Sequence, residues 1–423
     1  MTADVTTAAP QERPRSLLVR HPDFRRLFTA YSLSQVGTQV SYVAVPLVAI
    51  EALGAGAFQV SALAFLGSLP FLLVGLQAGA WLERVRRRPV LVAADLVRGV
   101  LMASVPVAWA LDALTGAQLY LVVLLVGVAT VFFEVASGAY IPHLVGRDNL
   151  LEANAKLGGM FAGAEVAGRS IGGFLVQVLT APYALVVNAV TYLWSGLWLG
   201  LIRKQEPRLE KPGTAKPLWP DVRSGITYVF RNAVLRTVSL ETSWSNFCLR
   251  IVITLVPLLY VSELHRSASL VGAFLTAGGV GVFLGAAVAR RIGLRVGYGR
   301  ALWMVGACCG PFALVVPFAV HGAAVWIGIA AWAVVAFKVG VDNVLKAAIR
   351  QHVTADEMMA RMGATYRFMI TGVLAIGSAV AGLLAGAAGV RVAILVGAVG
   401  LAASWLVLFC SPVRGMREMP GVE

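Results

Sequence analysis

Runs of about twenty or more apolar residues recur along this chain, separated by short basic loops. Each run is long enough to cross about 30 Å of hydrocarbon as a helix at about 1.5 Å per residue. The composition leaves little alternative, since 58% of the 423 residues are hydrophobic and 13% are charged. A water-soluble fold of this length would lack polar surface, because soluble domains carry roughly 25% charged residues. Glycine and proline inside the runs fit membrane helices better than soluble ones.

The runs predict twelve spans: 27–50, 58–82, 90–111, 118–141, 155–179 and 183–202, then 237–261, 270–289, 301–320, 323–345, 364–387 and 392–410. The chain then divides into a tail (1–26), a six-helix bundle (27–202), a linker (203–236), a second six-helix bundle (237–411) and a tail (412–423). With the N-terminus inside, cytoplasmic segments hold 30 of the 35 Lys and Arg, and outer loops hold only Arg266 and Arg391. Positive charge favours the cytoplasmic side, so both termini are expected there. The net charge of +14 is confined to loops and argues for a membrane rather than nucleic acid. The tail has no apolar stretch, so no cleavable signal peptide is expected. The Ala, Gly, Val and Arg bias suggests a GC-rich bacterial genome, and the expected location is the bacterial plasma membrane.

The two halves read as parallel repeats offset by about 208 residues, which sets Glu134 against Asp342. Such repeats place a substrate site between the halves, near the midplane. The linker stretch 218–230 has the apolar spacing of an amphipathic helix on the inner leaflet, with a solvated linker as the alternative.

After the second span comes Gly79-Ala80-Trp81-Leu82-Glu83-Arg84-Val85-Arg86-Arg87-Arg88. It resembles the signature Gly-x-x-x-Asp-Arg-x-Gly-Arg-Arg of the major facilitator superfamily, with Glu83 for the aspartate and Arg86 for the second glycine. Gly79 would let two helices touch, and Glu83 would pair with Arg84, Arg87 and Arg88 to latch the cytoplasmic side. Asp95, Arg98, Glu134 and Asp342 are expected in the same gate. The second half has a worn copy at 285–293, with Ala289 for the acid. The run Ala164-Glu165-Val166-Ala167-Gly168-Arg169-Ser170-Ile171-Gly172-Gly173 is similar to the glycine motif of proton-coupled exporters, with Arg169 for the proline. Further stretches, including His21–Leu27 and Ala364–Phe368, resemble an actinobacterial branch near enterobactin exporters and macrolide efflux proteins. The resemblance implies an all-α major facilitator fold, export of a small organic molecule, protons as partners and a monomer among membrane lipids. An uptake carrier and a non-transporting lipid-moving or sensory protein stay open beside it.

Charges inside spans are costly, about 2.5–3.5 kcal/mol each on insertion scales, so they must pair or face a cavity. Glu165 and Arg169 are four apart on one helix face and read either as a neutral structural pair or as a proton-responsive one. Tyr31, Gln35, Thr38 and Gln39 belong to a polar stripe on the first span that would line the cavity with Trp244, Arg250 and Lys338. Arg250 has no acid on its own helix face, so its partner must come from another helix. No phosphate loop, enzyme constellation or metal-ligand spacing occurs, so no cofactor and no catalytic site are expected.

Overall fold

The computed structural model describes residues 16–82, 84–146, 149–204, 206, 218–319 and 322–417. Among these the chain is all-helical. A short α1 (Leu17–Arg20) precedes α2 (Pro22–Leu47), α3 (Ala57–Leu82), α4 (Arg87–Ala110), α5 (Gly116–Val145), α6 (Leu150–Leu179) and α7 (Ala181–Gly200). The linker helix α8 (Leu218–Arg231) leads to α9 (Ala233–Pro257), α10 (Ala268–Val296), α11 (Tyr298–Cys309), α12 (Ala324–Val353), α13 (Met359–Ala388), α14 (Val390–Ala403) and the short α15 (Trp405–Phe409).

Ten helices among the described residues are long and apolar enough to cross a membrane. Twelve are expected from the apolar runs of the sequence. The two outside that set are α6 and α7, of 30 and 20 residues. Their polarity has a local cause: α6 carries the Glu165–Arg169 pair, and α7 turns Asn188, Thr191 and Ser195 into the protein.

Two details recur in the halves at nearly one spacing. Proline sits at the end of each leading helix, Pro46 in α2 and Pro257 in α9, and a π-helical turn follows, Val48–Ala52 and Leu258–Glu263. Proline removes one backbone donor, and the wider turn accommodates the shifted hydrogen bonds. The α6–α7 corner turns on Thr180 at φ 75°, and the α13–α14 corner on Gly389 at φ 89°. Glycine suits that conformation, while a β-branched threonine is strained in it.

Packing divides by depth. At the end that carries the chain termini there are two separate apolar cores. One unites Phe24, Leu91, Tyr140 and Leu199 of the first half, and the other Leu235, Leu302, Leu345 and Val413 of the second. At the opposite end a single core joins both halves, with Val43, Leu63 and Val176 packed with Ile251, Val271 and Ala381. The halves are therefore fused at one end and parted at the other.

Helix α8 forms where an amphipathic segment was expected, and it rests on protein. Gly225 lies against Arg361 and Thr365 of α13, and Tyr228 Oη donates to the Val353 carbonyl at 3.4 Å. Of the cysteines, Cys248 is buried, Cys309 is half-buried, and Cys308 and Cys410 are exposed.

Candidate functional site: a cleft between the halves

Helices α3 with α13, and α6 with α10, carry the junction between the halves. A side-chain carbon at Gly173 of α6 would sit 2.8 Å from the Gly272 Cα of α10, so only glycine allows this approach. Ser170 Oγ and Thr276 Oγ1 lie 2.8 Å apart across the same seam. On the other seam Gly382 of α13 meets Ser61 and Phe58 of α3. Towards the termini the contact ends: Gly75 and Gly79 of α3, Gly158, Gly159 and Gly163 of α6, and Gly363 of α13 all face open space. A cleft thus opens at the terminus-bearing end and closes near Val166 on α6 and Leu72 on α3, which meet Gly279 and Gly372.

This seam makes the first prediction. Gly272→Val should press a branched side chain into the Gly173 backbone, at a cost of about 1–3 kcal/mol. The fused end should then part, shifting the population roughly 5- to 150-fold towards the opposite state. A cysteine placed at Gly163 should react with a polar thiol reagent more slowly in that background. An unchanged rate would mean that the seam does not set the state.

At the floor of the cleft stands the pair expected from the sequence. Arg169 Nη2 lies 2.9 Å from Glu165 Oε1, with side chains 20% and 36% exposed, so the pair is reachable from the cleft. Arg169 Nε also donates to Gln39 Oε1 of α2 at 3.1 Å. Gly168 presses on Gln39 and Val36, which brings the two helices close enough for that bond. One helical turn thus carries a carboxylate, a guanidinium, a neutral amide from a second helix and the seam residue Val166.

The rest of the polar stripe on α2 divides. Tyr31 is buried, with its hydroxyl 3.2 Å from Ser137 Oγ and its ring 5.1 Å from Phe133 and 5.3 Å from Phe161. Thr38 bonds the Tyr192 hydroxyl at 2.9 Å. These two pack the first half rather than line the cleft. Gln35 is half-buried and makes no side-chain hydrogen bond among the described residues.

Several residues assigned to the gate lie elsewhere. Glu83 falls outside the described residues, and Arg84 is exposed. The backbone N–H groups of Arg87 and Arg88 donate to the two oxygens of Glu206, at 2.7 and 2.8 Å, and cap α4. The Arg88 side chain donates to the carbonyls of Leu199 and Gly200, which closes the end of α7. These arginines staple helix ends within the first half. Glu206 was missed because a loop acid has no periodicity to reveal it.

Asp95 and Arg98 form a buried pair well inside α4, not at its surface end. Ser195 Oγ donates to Asp95 at 2.6 Å, and the Arg98 guanidinium lies between Phe133 (4.2 Å) and Tyr192 (4.4 Å). Two aromatic faces suit a desolvated guanidinium. Glu134 makes no ion pair among the described residues, although Arg98 and, from α13, Arg367 are its nearby charges.

Lys338 and Asp342 are corrections. Lys338 was placed on the cavity wall and Asp342 in the gate, yet both are sealed inside the second half. Lys338 Nζ lies 3.0 Å from Glu241, from Asp342 and from the hydroxyls of Ser245 and Ser404. Lys346 pairs with Glu241 and, at 3.0 Å, with Asp342. Gly306, in contact with the lysine stem, makes room for it. Two cations and two anions neutralise one another, as buried charges must.

Trp244 also departs from expectation. Its indole donates to the Gly400 carbonyl of α14 at 3.0 Å, so it packs against the last long helix. Arg250 does reach other helices, but its partners are neutral. It donates to Ser378 Oγ of α13 at 2.6 Å, to the Ala64 carbonyl of α3 at 2.9 Å and to Ser68 Oγ at 3.2 Å. It therefore ties the halves together at the fused end.

With this geometry the comparisons with known proteins agree. The sequence pattern of the Major Facilitator Superfamily matches residues 27–341. The chain belongs to that superfamily. It is 25% identical over 228 residues to the multidrug efflux pump Tap of Mycolicibacterium fortuitum, a match covering 52% of this chain and 55% of that one. It is 23% identical over 230 residues to the uncharacterized MFS-type transporter YkuC of Bacillus subtilis (strain 168), covering 52% and 53%. The chain thus spans about half the length of these curated relatives. In fold it is similar to a bacterial homologue of the iron transporter ferroportin in an inward-facing state, with a TM-score of 0.74, 15% identity and coverage of 94% and 99%. The nucleoside transporter NupG (D323A mutant) gives 0.73 at 11% identity, covering 92% and 99%. The relatives named here are transporters, not enzymes.

Proposed function

We propose that this protein is a secondary transporter that exports a small organic molecule across a bacterial plasma membrane by alternating access, driven by protons. In this reading α6 and α7 complete twelve spans, both termini are cytoplasmic, and the open cleft is the inward-facing state. The observation that carries the reading is the Glu165–Arg169–Gln39 group. It is a carboxylate–guanidinium pair at the cleft floor, beside the seam where the halves close. Protonation of Glu165 would neutralise one member of that pair just where the conformational change takes place. Efflux is the direction favoured by the multidrug relative. The actinobacterial exporter branch suggested by the sequence stretches belongs to the same proposal.

Proteoliposomes with an imposed pH gradient test it. With a lipophilic drug as probe, about one pH unit stores about 1.4 kcal/mol per proton, enough for a tenfold concentration ratio. Accumulation of the drug against its gradient, collapsing when a protonophore is added, is the expected result. Accumulation that survives the protonophore would sink proton coupling.

A further inference from the structure

The outer flank of the first half holds a feature the transport cycle does not use. Helices α4 and α7 pack together, with α5 and α2 behind them. Their outward side chains are apolar and exposed, among them Val97 (49%) and Leu197 (66%), as on a surface wetted by lipid tails. At the terminus-bearing end of this flank lies a cavity of about 640 Å³. Arg86, Arg88 and Lys204 stand around it, and Val92 and Leu96 of α4 form its apolar wall.

The charges there are not balanced. Glu206 is the one acid among the described lining residues, and both its oxygens already accept N–H groups at the start of α4. Three cations against one anion leave a surplus of two positive charges. Donors remain as well. A lysine has three donors and an arginine five. Lys204 spends one on the Leu144 carbonyl at 3.0 Å, and Arg88 spends two on the end of α7. Arg86 is exposed, with no side-chain hydrogen bond or ion pair among the described residues.

We propose that this cavity seats the phosphate of an anionic phospholipid, with the acyl chains lying along Val92, Leu96 and the exposed valines further along α4. A basic recess at the headgroup level that continues into an apolar wall matches the two ends of a phospholipid. A free phosphate would use only the first. The cavity lies outside the cleft, so the proposal does not rest on the transport reading.

The full chain, purified in a neutral detergent, should be examined by native mass spectrometry with phosphatidylglycerol, phosphatidylcholine or inorganic phosphate added. Phosphatidylglycerol should be retained at least about fivefold better than phosphatidylcholine, since each basic side chain near the headgroup contributes about a fivefold factor. Arg86→Gln should lower that retention about fivefold, and Arg86→Gln with Lys204→Gln roughly 25-fold. Arg25→Gln, an exposed arginine at the same end, should leave it unchanged. Because Lys204 also holds the Leu144 carbonyl, the single Arg86→Gln variant decides the matter if the double variant folds poorly. Equal retention of the two lipids, retention untouched by Arg86→Gln, or displacement of the lipid by millimolar inorganic phosphate would each overturn the proposal.

Discussion

Glu241→Ala should destabilise the folded protein by about 3–5 kcal/mol, the usual cost of removing one partner from a buried ion pair. Glu241 is fully buried and holds Lys338 at 3.0 Å while also pairing with Lys346. Without it, two buried lysines share the single Asp342. The pairwise character of the cluster gives a sharper test. Glu241→Ala combined with Lys346→Ala leaves Lys338 and Asp342 as a balanced pair at 3.0 Å. That double variant should lose less than the sum of the two single losses, since contacting charges are not additive. Unfolding of the purified protein in mixed micelles measures all three. Additive losses would show that the four groups do not act as one neutral unit, and would reopen a gate role for Asp342.

Part of this cluster is visible in the residue spacing. Lys338, Asp342 and Lys346 recur at four-residue steps, giving two cations to one acid on a single face. Glu241, an acid within the seventh span and without a cation on its own face, is the missing fourth member. The Glu165–Arg169 pair was legible because both partners share one helix, where the spacing alone brings them together. The surroundings of Arg98 are hidden in the sequence for the opposite reason. Its aromatic neighbours Phe133 and Tyr192 come from α5 and α7, and only the packed bundle brings them to one point.

The helices themselves were easier to read than their roles. Apolar run length marks a helix that must satisfy its own backbone in lipid, and each span read from the sequence contains a helix, although the one read as 301–320 is α-helical only to Cys309. What run length does not contain is the partition of contact between the ends. That follows from where small residues allow close approach. Gly173 and Gly272 touch backbone to backbone, whereas Gly79, taken from the signature as a contact, faces open space here. A contact made by Gly79 would belong to the state in which the terminus-bearing end is closed.

Glu165→Gln should abolish uphill transport while sparing exchange of substrate down its gradient. A carboxylate and a guanidinium at this depth are costly and must compensate each other. Arg169 does so at 2.9 Å, and Gln39 of α2 holds the guanidinium from the other side. A glutamine at 165 keeps nearly the same shape and can still accept from Arg169, so the helix and the cleft should survive. It cannot carry a proton. In the proposed cycle, closing the cleft would change the contacts around this turn, since Val166 already lies at the seam. Loss of the titratable group should therefore uncouple the two events without blocking either. In proteoliposomes at about one pH unit, the wild-type ratio of up to tenfold should fall to about one in Glu165→Gln, with counterflow of labelled substrate kept within about twofold. Should the variant still concentrate substrate when given a proton gradient, the coupling carboxylate lies elsewhere. Glu134, which has no ion pair among the described residues, would then be the next position to neutralise.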